Sequence, residues 1–129
     1  MSKRTIRIGI VGAEEYKWTP QKKKIAKQKI REILLEYLRK GFDVVLVSGR
    51  CPRGGVDIWA EEIADELGIK KLIFPPKKYS WYWYKKRNIQ IAENSDVLYD
   101  IEPMGKRSGG TWTLNYAKKL GKKVFRIII

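Results

Sequence analysis

Apolar residues in this chain switch repeatedly between strand-like runs and a helical period, and that alternation limits the fold more than any other feature. Thr5 to Val11 is a β-rich run ending at Gly12, after which Ile25, Ile30, Ile33, Leu34, Tyr37 and Leu38 recur at helical spacing until Gly41 stops them. Phe42 to Val47 is a second apolar run, followed by a turn-rich loop and by Val56, Ile63, Ala64 and Leu67 on a second helix that Gly68 ends. Leu72 to Phe74 makes a third strand halted by Pro75 and Pro76, and Ser80 suits the N-cap of a helix reaching Asn94. Asp96 to Ile101, Thr111 to Leu120 and Val124 to Ile129 then read as strand, helix and strand. Strands joined through helices by short loops run parallel, and right-handed crossovers place helices on both faces. The expected architecture over residues 1–129 is therefore one α/β domain, a three-layer sandwich around a parallel five-stranded sheet. In such sheets ligands bind beyond the carboxyl ends of the strands where strand order reverses, so the loops after strands one, two and four are expected to share one crevice.

Among the 129 residues, 28 Lys plus Arg face 14 Asp plus Glu, a formal charge of +14, and there is no histidine. That absence removes histidine bases, histidine metal ligands and every Ser/His or Cys/His couple. A single cysteine, Cys51, excludes an intrachain disulfide and Cys-rich zinc sites, and nothing demands an oxidising compartment. The cytoplasm is the expected location. No apolar run approaches the roughly 20 residues that cross a bilayer, and Met1 to Ile8 interrupts its apolar residues with charges instead of building a signal-peptide core. No membrane partner is expected. The twofold cation excess goes beyond the balanced Lys/Glu networks of heat-adapted surfaces and favours an anionic partner, a merely solvated surface being the alternative.

The loop after the second strand, Ser48-Gly49-Arg50-Cys51-Pro52-Arg53-Gly54-Gly55, runs straight into a helix. Its glycines let backbone N–H groups approach an anion, the helix start adds partial positive charge, and Arg50 or Arg53 could fork onto phosphate oxygens. The same composition also suits a plain turn with solvated arginines. Neither a Walker A string nor a GxGxxG fingerprint is present. Asp57 falls in the first turn of the following helix, where a carboxylate caps free amides; its alternative roles are to contact a ribose hydroxyl or to orient a loop arginine. After the fourth strand, Ser108-Gly109-Gly110-Thr111 opens another helix, with hydroxyls that either donate to phosphate or serve only as caps.

Between these loops, Tyr79 to Asn88 interleaves five aromatics with polar groups and then three cations. Bases stack on aromatic faces and cations meet phosphates, so Trp81 and Trp83 are candidates for holding a base or a single strand. On a helix, Tyr82, Ile89 and Ala92 are expected to share the buried face. Lys22, Lys23, Lys24 and Lys27 begin the first helix, where cations oppose the macrodipole, and offer a second nucleic-acid surface or simply solvated lysines. Glu14, Glu15, Asp100 and Glu102 are the few acids near the crevice, and no spacing among them specifies a metal site. Mg²⁺ would enter only with a bound nucleotide. Cys51 sits in an electropositive loop that could lower its pKa.

The string Val47-Ser-Gly-Arg-Cys-Pro-Arg-Gly-Gly-Val-Asp57 and the following Trp59 to Ala64 are joined, in order, by Arg87-Asn88, Ser95-Asp96 and Ser108-Gly-Gly-Thr111. Together they resemble the SLOG superfamily of Rossmann-like nucleotide-ligand-binding domains, and among these the small single-domain YspA-like group. The resemblance spans nearly the whole chain, and it implies that Gly12, Ser48, Gly49, Arg53, Gly54, Asp57, Arg87, Asn88, Ser108, Gly109, Gly110 and Thr111 line a nucleotide-type pocket. Arg53 to Asp57 is one residue longer than the commoner Arg-Gly-x-Asp spacing. The related Lonely Guy phosphoribohydrolases carry a Pro-Gly-Gly-x-Gly-Thr-x-x-Glu segment whose glutamate assists N-glycosidic cleavage. Here Leu114 stands where that glutamate would and Asn115 follows, so hydrolysis by that route is disfavoured. The Ser-Gly and Arg-Gly elements also resemble the core of the DNA-processing A proteins, which bind single-stranded DNA. The expectation is a nucleotide-binding sensor or accessory module, with single-stranded nucleic-acid binding and nucleotide N-glycosidic hydrolysis as alternatives. A homodimer is a further expectation, from the aromatic run and the parallel sheet.

Overall fold

The computed structural model describes residues 3–129. Its elements are β1 (Thr5–Gly12), a single 3-10 turn (Glu15–Lys17), α1 (Pro20–Arg39), β2 (Asp43–Ser48), α2 (Val56–Glu66), β3 (Lys70–Ile73), α3 (Trp81–Asn94), β4 (Val97–Glu102), α4 (Gly109–Lys119) and β5 (Lys123–Ile128). The strands form one five-stranded sheet in the order β3-β2-β1-β4-β5, every pair parallel. The α/β sandwich expected from the alternating periods is what the chain adopts.

Alternation along each strand sends successive side chains to opposite faces, and both faces are apolar because both are covered. Ile8 and Ile10 of β1 and Val44 and Leu46 of β2 pack with Ala26, Ile30 and Leu34 of α1 and with Trp59 and Ile63 of α2. Val11, Val47 and Leu98 point the other way, onto Ile91 and Ala92 of α3 and Leu114 and Ala117 of α4.

Helix starts are set by capping, which is why α1 and α4 begin before their apolar periodicity does. The Thr19 hydroxyl accepts from the Lys22 N–H at 3.2 Å, with Pro20 in the first helical position, where its missing N–H costs nothing. The Ser108 hydroxyl accepts from the Gly110 N–H at 3.1 Å, so α4 opens on its two glycines and presents their backbone at the carboxyl edge of the sheet. From β1 the chain winds outward through β2 to β3, then returns across the sheet to β4 on the opposite side of β1. The gap between β1 and β4 is the switch point, where the connections leave in opposite directions. Among the described residues no helix is long and apolar enough to cross a membrane.

Candidate anion-binding cleft

A cleft of about 230 Å³ opens at the carboxyl end of the sheet, lined by Val11 and Gly12 of β1, Glu14, Cys51, Arg53, Asp57, then Trp81, Tyr84, Arg87, Asn88 and Ile91 of α3, and Gly109, Gly110 and Thr113 of α4. The loop after β2 and the start of α4, some sixty positions apart in sequence, thus meet in one place.

Arg87 is the buried cation of the cleft, 8% exposed. Its Nη1 donates to the Gly49 carbonyl at 2.8 Å and lies 3.6 Å from Asp57 Oδ2, while the face of Tyr84 lies 5.5 Å from the guanidinium carbon. Its Nε is buried with no hydrogen-bond partner among the described residues. Gly49 is required by this packing, because a Cβ there would occupy the space of the Arg87 side chain. Asp57 does not cap α2, whose N-cap is Gly55. Burial pushes its carboxyl up to about 6, against the opposing pull of Arg87.

The sequence-derived candidates divide in a simple way. Gly12, Arg53, Asp57, Arg87, Asn88, Gly109 and Gly110 line the cleft. Ser48 is fully buried, its hydroxyl donating to Glu61 Oε2 at 2.8 Å, and Arg50 pairs through Nε with Glu61 Oε1 at 3.0 Å. Arg50 and Gly54 border a separate depression with Pro75, Pro76 and Tyr79. Gly49 packs on Arg87, Gly55 starts α2, Ser108 caps α4, and the Thr111 hydroxyl points down to Asp100 Oδ2 at 3.5 Å. Glu14, Cys51, Tyr84 and Thr113 join the lining without having been read as ligand contacts. The cysteine also departs from expectation: burial and the Asp57 charge raise its thiol pKa, outweighing the Arg53 backbone N–H and the Arg87 charge. Leu114 is packed in the core among Val11, Ile91 and Ala117, so that turn of α4 puts no carboxylate toward a ligand.

Beneath the glycine floor lies a pair of fully buried acids, Asp100 and Glu102, both at the end of β4. Glu102 accepts from the Ser108 hydroxyl, while Asp100 Oδ1 and Glu102 Oε2 have no partner among the described residues. Burial first, and then the neighbouring Glu102 carboxyl, push Asp100 up to about 8; burial also raises Glu102. Among the described residues no three His, Cys, Asp or Glu side chains are grouped to hold a metal.

Of the nucleic-acid candidates, Lys23 pairs with Glu15 at 3.0 Å, and Lys23 and Lys27 lie over the Trp59 ring at 5.4 and 5.9 Å. Lys22 and Lys24 also lie on α1, outside the cleft. Trp81 is 55% exposed at the cleft wall, its ring edge-on to Trp112, whereas Trp83 borders a neighbouring groove. Of the three residues expected on the buried face of α3, Ala92 is buried and Ile89 half-buried, whereas Tyr82 is 58% exposed; Arg87, Asn88 and Ile91 complete that face.

No protein-family model matches the sequence, and no curated protein matches it. Among solved structures, the molybdenum cofactor carrier protein of Chlamydomonas reinhardtii is similar, with a TM-score of 0.62 at 18% identity, over 95% of this chain and 76% of that one. That similarity is one of fold, and it places this chain among three-layer, Rossmann-like α/β proteins.

Proposed function

We propose that the switch-point cleft binds a small phosphorylated ligand of the nucleotide type and that the protein serves as a sensor or accessory component for it. The observation carrying this reading is the Arg87 guanidinium, buried in the cleft wall with Nε unpartnered, opposite the glycine-bearing N-terminus of α4. A buried donor left unpaired is costly, and a ligand oxygen would satisfy it. The partial positive charge of a helix start and a forked cation together form a usual oxyanion site, although the Gly110 N–H is already taken by the Ser108 hydroxyl. Arg53, exposed at the rim, supplies a second cation. The gathering of the Arg53 to Asp57, Arg87-Asn88 and Gly109-Gly110 segments around one cleft supports a SLOG-type assignment.

Thermal or chemical denaturation with a panel of nucleotides tests the reading. A ligand present at 100 times its Kd adds about 2.7 kcal/mol. The panel includes the molybdenum cofactor, because the similar structure is named as its carrier. Arg53→Ala should weaken the binding of any hit while leaving the free protein's midpoint unchanged. If no member of the panel, nor phosphate or pyrophosphate, moves the midpoint, the reading fails.

A further inference from the structure

The positive charge of this protein is distributed unevenly between neutralised and free cations. Around α1, Lys17, Lys23, Lys29, Arg31 and Lys40 are ion-paired with Glu14, Glu15, Glu32, Glu66 and Glu36, whereas among the described residues Lys22, Lys24 and Lys27 form no ion pair and have no exposed tryptophan beside them. From Pro75 to Asn94, by contrast, Lys77, Lys78, Lys85, Lys86 and Arg87 face a single acid, Glu93. Among the described residues none of those four lysines forms an ion pair. The same segment holds the most exposed large aromatics of this part of the surface, Tyr79 at 75%, Tyr82 at 58% and Trp81 at 55%. Lys77 and Lys86 bracket the Trp83 ring, their Nζ atoms 5.8 and 5.2 Å from its centre.

This band is continuous with the cleft. A groove beside it is lined by Pro75, Pro76, Lys77, Trp83 and Lys86 together with Arg87, and Arg87 also lines the cleft. One guanidinium therefore forms the divide between two adjoining sites, with Trp81 on one side and Trp83 on the other.

We infer that the β3–α3 segment is a docking surface for single-stranded nucleic acid, whose terminal nucleotide enters the cleft while the adjoining nucleotides cross Arg87 into the Trp83 groove. Unpaired lysines answer a row of phosphates, and exposed aromatic faces interleaved with them stack bases of any sequence. An acidic protein surface would use the charges and leave the rings idle. A duplex keeps its bases stacked on one another and gains nothing from them. The inference rests on the cleft reading for the terminal nucleotide only.

Fluorescence anisotropy with labelled oligothymidine of about 12 nucleotides, a length within the range of single-strand sites, tests this. If Lys77, Lys85, Lys86 and Arg87 each neutralise one phosphate, affinity falls about 50-fold between about 50 and about 200 mM salt. Lys77→Glu with Lys86→Glu should weaken binding at least ~10-fold and flatten the salt dependence, whereas Lys22→Glu with Lys24→Glu on α1 should change it less than ~2-fold. Trp83→Ala, checked for an intact denaturation transition, should weaken the oligonucleotide ~10-fold and leave inorganic polyphosphate unaffected; Tyr82→Ala repeats this with an exposed ring. Equal affinity for duplex or polyphosphate, or insensitivity to the α3 charge reversal, overturns the inference. Mononucleotide titration separates the two sites: the charge-reversed protein should still bind mononucleotide, and loss of mononucleotide binding by the unaltered protein counts against the cleft alone.

Discussion

Arg87 of α3 and Asp57 of α2 belong to helices on opposite faces of the sheet, yet their side chains lie 3.6 Å apart over the carboxyl ends of the strands. With Nη1 also held by the Gly49 carbonyl, Arg87 ties three segments of the cleft together across the central layer.

Removing that arginine leaves a buried carboxylate without its cation, and breaking one side of a buried pair costs about 3–5 kcal/mol. Arg87→Ala should lower the stability measured by urea denaturation by that amount. Adding Asp57→Asn should recover part of the loss, since the amide needs no counter-charge. If the double variant is no more stable than Arg87→Ala alone, the two residues are not coupled as described.

Stability should fall as pH rises from about 5 to about 9. Asp57, raised to about 6, and Asp100, raised to about 8, bind more protons in the folded than in the unfolded chain between the ordinary carboxylate range and those values. Their contribution is greatest when both are protonated and declines as each ionises in the interior; Glu102, also raised, acts in the same direction. Asp100→Asn, which mimics the protonated acid, should flatten the decline and stabilise the protein at pH 8. A midpoint that climbs over this interval would contradict the account.

The two glycines opening α4 should respond oppositely to alanine. A Cβ on Gly110 would stand 2.6 Å from Asp100 Oδ1 and 3.1 Å from the Gly12 backbone, an overpacking that costs about 1–3 kcal/mol. A Cβ on Gly109 meets only Asn88 Nδ2 at 3.7 Å, an ordinary contact, and alanine suits a helix better than glycine. Gly109→Ala should therefore keep or slightly raise the denaturation midpoint while narrowing the cleft and weakening its ligand. Similar stability losses for both variants would show that the floor is not packed on Asp100.

Cys51 should react sluggishly with iodoacetamide at pH 8, more slowly than a small free thiol, because burial and Asp57 keep it protonated. Since it lines the cleft, a bound ligand should slow alkylation further, which gives a covalent readout of occupancy. Alkylation faster than the free thiol would mean that Arg87 and the Arg53 backbone N–H prevail after all.

Much of this was legible in the order of residues. The alternating periods located the five strands and four long helices to within a few positions; β3 starts two residues before Leu72, and at α1 and α4 Thr19 and Ser108 start a helix before its apolar stripe begins. The loops that border the cleft could be named from glycines, arginines and helix starts. Loop composition leaves Arg50 and Arg53 open, and only the resemblance singles out Arg53. Arg50 and Arg53 look equivalent along the chain, but Glu61, one helix away, takes Arg50 and leaves Arg53 at the rim. Tyr82 follows for a related reason: α3 presents Arg87 to the Gly49 carbonyl and Asp57 on other elements, and so turns Tyr82 outward.

Local patterning alone determined the layered α/β architecture, because hydrophobic period and turn chemistry act between near neighbours and need no knowledge of distant segments. Tertiary structure decided which charges are paired: of Lys22, Lys23, Lys24 and Lys27, which stand together in the primary chain, Lys23 meets Glu15 across the first loop, while among the described residues none of the β3–α3 lysines meets an acid. Pairing and desolvation depend on groups brought close from far along the chain, and the same dependence raised Cys51 and Asp100 where sequence context offered no sign of it.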